Sequence, residues 1–164
     1  MAFALVVSIL SGCARASVPA AAPARPAEIS TDPLVEAALV RESAALDIRA
    51  WRFETAKERL DRVLTRAPND PIAHLYYGEL YRLQAQRVRR LEDSAPLLAQ
   101  ARQSYERAAA LDSGYAEPFR QLGLLYYQSK EMEKAKEAFR KYLTLKPDAP
   151  DARRVKEYLV ELDR

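Results

Sequence analysis

The chain has 164 residues, of which 49% are hydrophobic and 30% charged, and a formal net charge of +3. That is the size of one soluble domain with a short attachment, and its charges of both signs are interleaved rather than gathered into the basic face or tail of a nucleic-acid binder. One Cys, one His and four Gly exclude a disulfide scaffold, leave no ligand set for a protein-only metal site, and provide no glycine loop to cradle phosphates, so no metal, cofactor or nucleic acid is expected.

Residues 1–12 form an uncharged apolar run that stops at Cys13. The run is too short to cross about 30 Å of hydrocarbon and reads as the apolar part of a signal peptide. Leu10-Ser11-Gly12-Cys13 resembles the lipobox of bacterial lipoproteins, although no Lys or Arg precedes the run. The resemblance implies that Cys13 becomes the first residue, carries a diacylglycerol thioether and is acylated at its amino group. Ala14 stands where an inner-membrane retention signal would be Asp, which implies the periplasmic face of the outer membrane. Residues 13–32, rich in Ala and Pro without a periodic apolar stripe, are expected to be a disordered tether.

Residues 33–164 read as helical throughout, and one skeleton recurs in them. In the first copy, about 37–70, Ala44 is followed by Ala56, Leu60, Val63 and Pro68, with Trp51 and Phe53 near the turn. Asp47 takes a place that is aromatic in the later copies. The second copy, 71–115, has His74, Tyr77, Gly78 and Tyr81, then Ala101, Tyr105 and Ala108. The third, 116–149, has Phe119, Leu122, Gly123 and Tyr126, then Ala135, Phe139 and Pro147. Gly78 to Ala101 is 23 residues where Gly123 to Ala135 is 12, so the second copy holds an insertion near 85–97. The helix is predicted to continue through residues 84–91 and to turn at Asp93-Ser94-Ala95-Pro96, making a projecting hairpin. Residues 150–164 place Val155, Tyr158, Leu159 and Leu162 on one face and charge on the rest, the pattern of a capping helix.

These spacings resemble the tetratricopeptide repeat (TPR) pattern W-x-x-L-G-x-x-Y, A-x-x-x-F, P. The resemblance implies an all-α superhelix of about three helix pairs plus the cap. It also implies a non-enzymatic protein-interaction scaffold, with the first helices of the pairs lining a concave groove. The register puts Arg41, Arg49, Glu79, Arg82, Arg120, Tyr127 and Gln128 on that groove, together with Ala45, Ile48, Leu75 and Leu124. Arg forks match carboxylates, so the expected partner is another protein or peptide segment of acidic character. Chaperone-binding TPR proteins clamp a terminal carboxylate with Lys and Asn; Ala45 and Glu79 stand at the Asn places, so that clamp does not carry over. Arg87, Arg89 and Arg90 make the hairpin tip basic and predict a second contact surface. A permanent structural subunit of a large membrane-associated complex is the alternative role.

No catalytic residue is assigned. His74 has no second His or acidic pair nearby in the pattern and reads as an interhelical residue. Glu92 and Asp93 read as a solvated helix start, and the Tyr76-Tyr77 and Tyr126-Tyr127 pairs lack the basic stripe of a base-stacking surface.

Overall fold

A computed structural model describes residues 32–164; the expectations for the leader, Cys13 and the tether lie outside them. Among the described residues there are seven helices: α1 (Pro33–Arg49), α2 (Phe53–Arg66), α3 (Pro71–Arg87), α4 (Leu91–Leu111), α5 (Ala116–Gln128), α6 (Met132–Leu145) and α7 (Ala152–Leu162). Each packs on the next, and α1 also packs on α3. The architecture is an all-α solenoid of three helix pairs closed by α7.

Local chemistry sets the boundaries. Asp32 accepts the Leu34 amide, Asp70 accepts those of Ile72 and Ala73, and Pro33 and Pro71 open α1 and α3. This satisfies amides that have no partner inside the helix and puts proline where its missing N–H costs least. The α1 and α5 ends share one cap: Trp51 and Lys130 take φ of 61° and 60°. Their amides bond back to Ile48 and Tyr127, and the next amides to Asp47 and Tyr126. This left-handed stop normally falls to Gly or Asn, and neither is present.

The recurring small residues mark where helices meet most closely. A Cβ on Gly78 would collide with the Tyr105 ring, and one on Gly123 with the Phe139 ring. In the first pair the matching places hold Ala44 and Leu60, both fully buried; the smaller Leu leaves room for the methyl. Three apolar clusters run the length of the body, around Leu60 and Leu80, around Tyr105 and Leu122, and around Phe139 and Val155. Tyr158 of α7 stacks on Phe139 with centroids 5.5 Å apart. Asp47, in the aromatic place, is buried between Arg52 and Arg59, whose Nε lies 3.0 Å from Oδ2.

The insertion turns earlier than its one proline suggests. The turn is formed by residues 88–90, and Asp93, Ser94, Ala95 and Pro96 lie within α4. Glu92 and Asp93 in the first helical turn suit the positive end of the helix dipole, while Pro96, in the second turn, removes one amide bond and crowds the Glu92 carbonyl. Compared with α5 and α6, counted from the equivalent Gly and Ala, α3 runs four residues further and α4 starts seven earlier. The loop keeps three residues in both pairs. All eleven extra residues therefore lengthen the two helices.

Candidate functional site

The first helices α1, α3 and α5 form one wall, and charge converges at its middle. Arg49 of α1, Arg82 of α3 and Arg120 of α5 all act on the Glu79 carboxylate of α3. Burial pushes the Glu79 carboxyl above its usual range, and the three guanidinium groups only partly offset that. Because Arg120 also pairs with Asp151, the excess of positive charge left for an incoming group rests on Arg49 and Arg82.

The arginines are not equally available. Arg41 Nη1 donates to Asp70 Oδ2 at 2.7 Å, with Nε 3.7 Å from Glu42, and Arg120 pairs with Asp151. Asp70 and Asp151 directly precede α3 and α7, so each arginine ties its own helix to the start of the next helix along the wall. Arg49 is exposed and Arg82 half-buried, and neither forms an ion pair among the described residues. Tyr127 has turned to the cap: its hydroxyl donates to Glu161 Oε1 at 2.6 Å, and its ring lies 5.0 Å from that of Tyr158. Gln128 is exposed at the α5 end. Ala45, Ile48 and Leu75, placed on the wall by register, are buried between helices, because the wall is narrower than the apolar stripe of each helix.

Tyr105 is a participant that the register does not reveal. It belongs to α4, a second helix, yet its hydroxyl stands in the field of Arg82, Glu79 and Arg120. The hydroxyl and Arg82 Nε are both buried, and the Arg82 guanidinium acts directly on the phenol. The phenol is held well above its usual range, chiefly by burial, and so remains a donor. The Arg41 and Arg120 pairings had a weak signal in the sequence, an acid 29 or 31 residues downstream at a helix start.

At the hairpin the three arginines also differ. The Arg87 guanidinium lies 5.4 Å from the Trp51 ring centroid, and Trp51 meets Phe53 edge-on at 5.8 Å. Arg89 and Arg90 are exposed. Of the side chains weighed for chemistry, His74 Nε2 sits 3.0 Å from the Pro68 carbonyl, and Glu92 and Asp93 are exposed in the first turn of α4. Among the described residues, no helix is long and apolar enough to cross a membrane.

Two family models, each described as Tetratricopeptide repeat, match residues 44–100 and 97–160. The chain is thus a tetratricopeptide repeat protein across residues 44–160. Its fold is similar to that of the first TPR of Spaghetti (RPAP3) bound to the HSP90 peptide SRMEEVD. That match has a TM-score of 0.64 and 17% identity, and covers 79% of this chain and 98% of that one. It is similar also to the Sgt2 TPR domain from Aspergillus fumigatus, with a TM-score of 0.61, 20% identity and coverage of 79% and 78%. A thermophilic TPR protein of Thermus thermophilus gives 0.63, 22% identity and coverage of 75% and 61%. No curated protein matches the chain. Tetratricopeptide repeats serve protein–protein interaction, and that is the class of function this fold supports.

Proposed function

We propose that the protein is a non-enzymatic scaffold or adaptor that binds a segment of another envelope protein along its α1–α3–α5 wall. It is held on the periplasmic face of a bacterial outer membrane by lipid on Cys13. The observation that carries the binding reading is the electrostatic convergence of Arg49, Arg82 and Arg120 on one half-buried Glu79, which favours an acidic segment. The HSP90 peptide in the Spaghetti complex, with two Glu and one Asp, lies on a similar fold. Arg89 and Arg90 at the hairpin tip offer a second contact of the same sign. The membrane reading rests on the Leu10-Ser11-Gly12-Cys13 sequence, and several acyl chains on one cysteine would anchor firmly where a single chain binds only marginally.

Crosslinked capture from membranes tests the wall. Arg82→Ala should weaken capture about tenfold or more with little loss of helicity, since a charge-assisted hydrogen bond contributes about 1.5 to 3 kcal/mol. Unchanged capture by Arg41→Ala, Arg82→Ala and Arg120→Ala alike moves the site elsewhere. Intact-mass measurement of the membrane fraction tests the anchor: a free thiol at Cys13, or residues 1–12 still attached, refutes it.

A further inference from the structure

Two crevices stand at the same place in successive repeats, and their chemistry differs. The earlier is bounded by α2, α3 and α4, holds about 390 Å³ and is polar, with His74, Tyr77 and Tyr81 lining it beside Gln100 and Ser104. It is closed on itself, because Asp61 accepts from the Tyr77 hydroxyl and, at 3.0 Å, from Lys57. The later lies between α5 and α6 and holds about 730 Å³. There Phe119, Leu122 and Tyr126 take the places of His74, Tyr77 and Tyr81, while Lys134 and Ala138 take those of Gln100 and Ser104. Leu122 has no hydroxyl to offer, and Glu106, at the place of Asp61, accepts from the Tyr126 hydroxyl at 2.8 Å instead. The repeat is thus built with either chemistry at this place, so packing alone does not dictate an open apolar floor. By helical spacing the crevice is on the far side of α5 from Arg120 and Leu124, away from the wall.

The rim of this crevice is charged in one sense. Lys134, Arg140 and Lys141 stand on it against a single acid, Glu137. Lys134 also bonds Glu131, and Arg140 lies 3.8 Å from Asp163, whereas the exposed Lys141 forms no ion pair among the described residues. Both lysines lie across the floor: Lys134 Nζ is 5.5 Å from the Tyr126 ring centroid and Lys141 Nζ 5.8 Å from that of Phe119. A cation–π contact at an exposed site is weak, so each ammonium is free to turn outward to a carboxylate. The floor residues recur at i, i+3 and i+7 and run about 10 Å along α5, the length of two turns of a second helix.

We propose that the α5–α6 crevice docks a short amphipathic helix of another protein. Its aliphatic side chains rest on Phe119, Leu122 and Tyr126, and its flanking Glu or Asp residues meet Lys134 and Lys141. A basic helix would be repelled by the rim, and a neutral one would forgo its attraction. The site does not depend on the wall, which concerns the opposite side of α5.

The test uses the full chain and acetylated, amidated peptides, with binding read by calorimetry. The first peptide carries Leu at i, i+3, i+4 and i+7 with Glu and Ala elsewhere; a second has Gln for every Glu, and a third Ala for every Leu. The parent should bind the first and prefer it to both others. Lys141→Glu should lower that affinity about fivefold, and Lys134→Glu with Lys141→Glu about tenfold, the loss shrinking as salt is added. Arg82→Ala, on the wall, should bind as the parent does. Both lysines are exposed, so the thermal midpoint should hold; Lys141→Gln gives the same direction of change if charge reversal disturbs folding. No binding by the parent, no preference for the first peptide over either other, or unchanged affinity in the double lysine variant overturns the proposal. If Arg82→Ala loses affinity and the double lysine variant keeps it, the peptide sits on the wall, and the crevice falls while the wall reading stands.

Discussion

At Asp151 two side chains from different helices meet one carboxylate: Arg120 of α5 and Tyr142 of α6, whose hydroxyl lies 2.5 Å from Oδ1. Burial alone would raise the Asp151 pKa, but hydrogen bonds from Tyr142 and Arg120 outweigh it and hold the group below its usual range. The Tyr142 phenol is pushed the other way, to about 12, by burial and by this same carboxylate. Because the folded value of Asp151 lies below the unfolded one, its contribution to stability is present above about pH 4 and is lost as pH falls through the folded value. Asp151→Asn should therefore melt earlier than the parent at neutral pH, and calorimetry should show the gap closing as the pH drops below about 4. Single residues of this kind were only half legible. Asp70 is readable as a cap from Asp70-Pro71, but its bond to Arg41 depends on how α1 and α3 are rotated against each other, which no local pattern specifies. Glu79 and Arg82 are placed by register, whereas Tyr105 in the same sequence reads simply as a core aromatic.

The helix pairs differ mainly in how their first helices stop. α1 and α5 end in the same left-handed cap, held at Trp51 and Lys130 by residues that bear a steric penalty glycine escapes. Lys130 is exposed and makes no cation–π contact among the described residues, so Lys130→Gly should stabilise the chain by about 0.5 to 1 kcal/mol in chemical denaturation. α3 lacks this cap and instead runs on to Arg87, ending at an extended Val88. The existence of the insertion was legible from the lengthened Gly-to-Ala spacing, since that interval is fixed by packing. Its turn was not, because Pro96 reads as a breaker, yet α4 begins five residues before it and carries the proline inside the helix. The lengthened helices suggest a clean excision: deleting residues 84–87 together with residues 91–97 retains the turn at 88–90 and restores the spacing of the third pair. The shortened chain should keep its cooperative unfolding and lose part of its partner capture if the tip is a contact surface. Full capture would make the protrusion an ornament.

Across the whole molecule the two ends are finished differently. α7 turns Val155 inward and presents Arg153, Arg154, Lys156 and Glu157 outward, the polar finish a repeat array needs. α1 keeps Leu39 and Leu46 59% exposed while burying Ala44 and Ile48 on its other face. Leu39→Lys with Leu46→Lys should leave the unfolding free energy within about 0.5 kcal/mol of the parent while reducing light scattering at high concentration, because neither leucine supports the core. The array itself was legible because repeated packing demands repeated residues, as Gly78 with Tyr105 and Gly123 with Phe139 show. The finish of its first end was not, since an apolar residue at helical spacing reads as core whether or not anything covers it. Trp51 lies at the far end of α1, half-exposed, under the Arg87 guanidinium beside the turn of the protrusion. As the sole tryptophan of the chain, it makes its own fluorescence an inbuilt spectroscopic gauge of that corner. Any event that lifts Arg87 from the indole changes the emission, while events confined to the α7 end leave it unaltered.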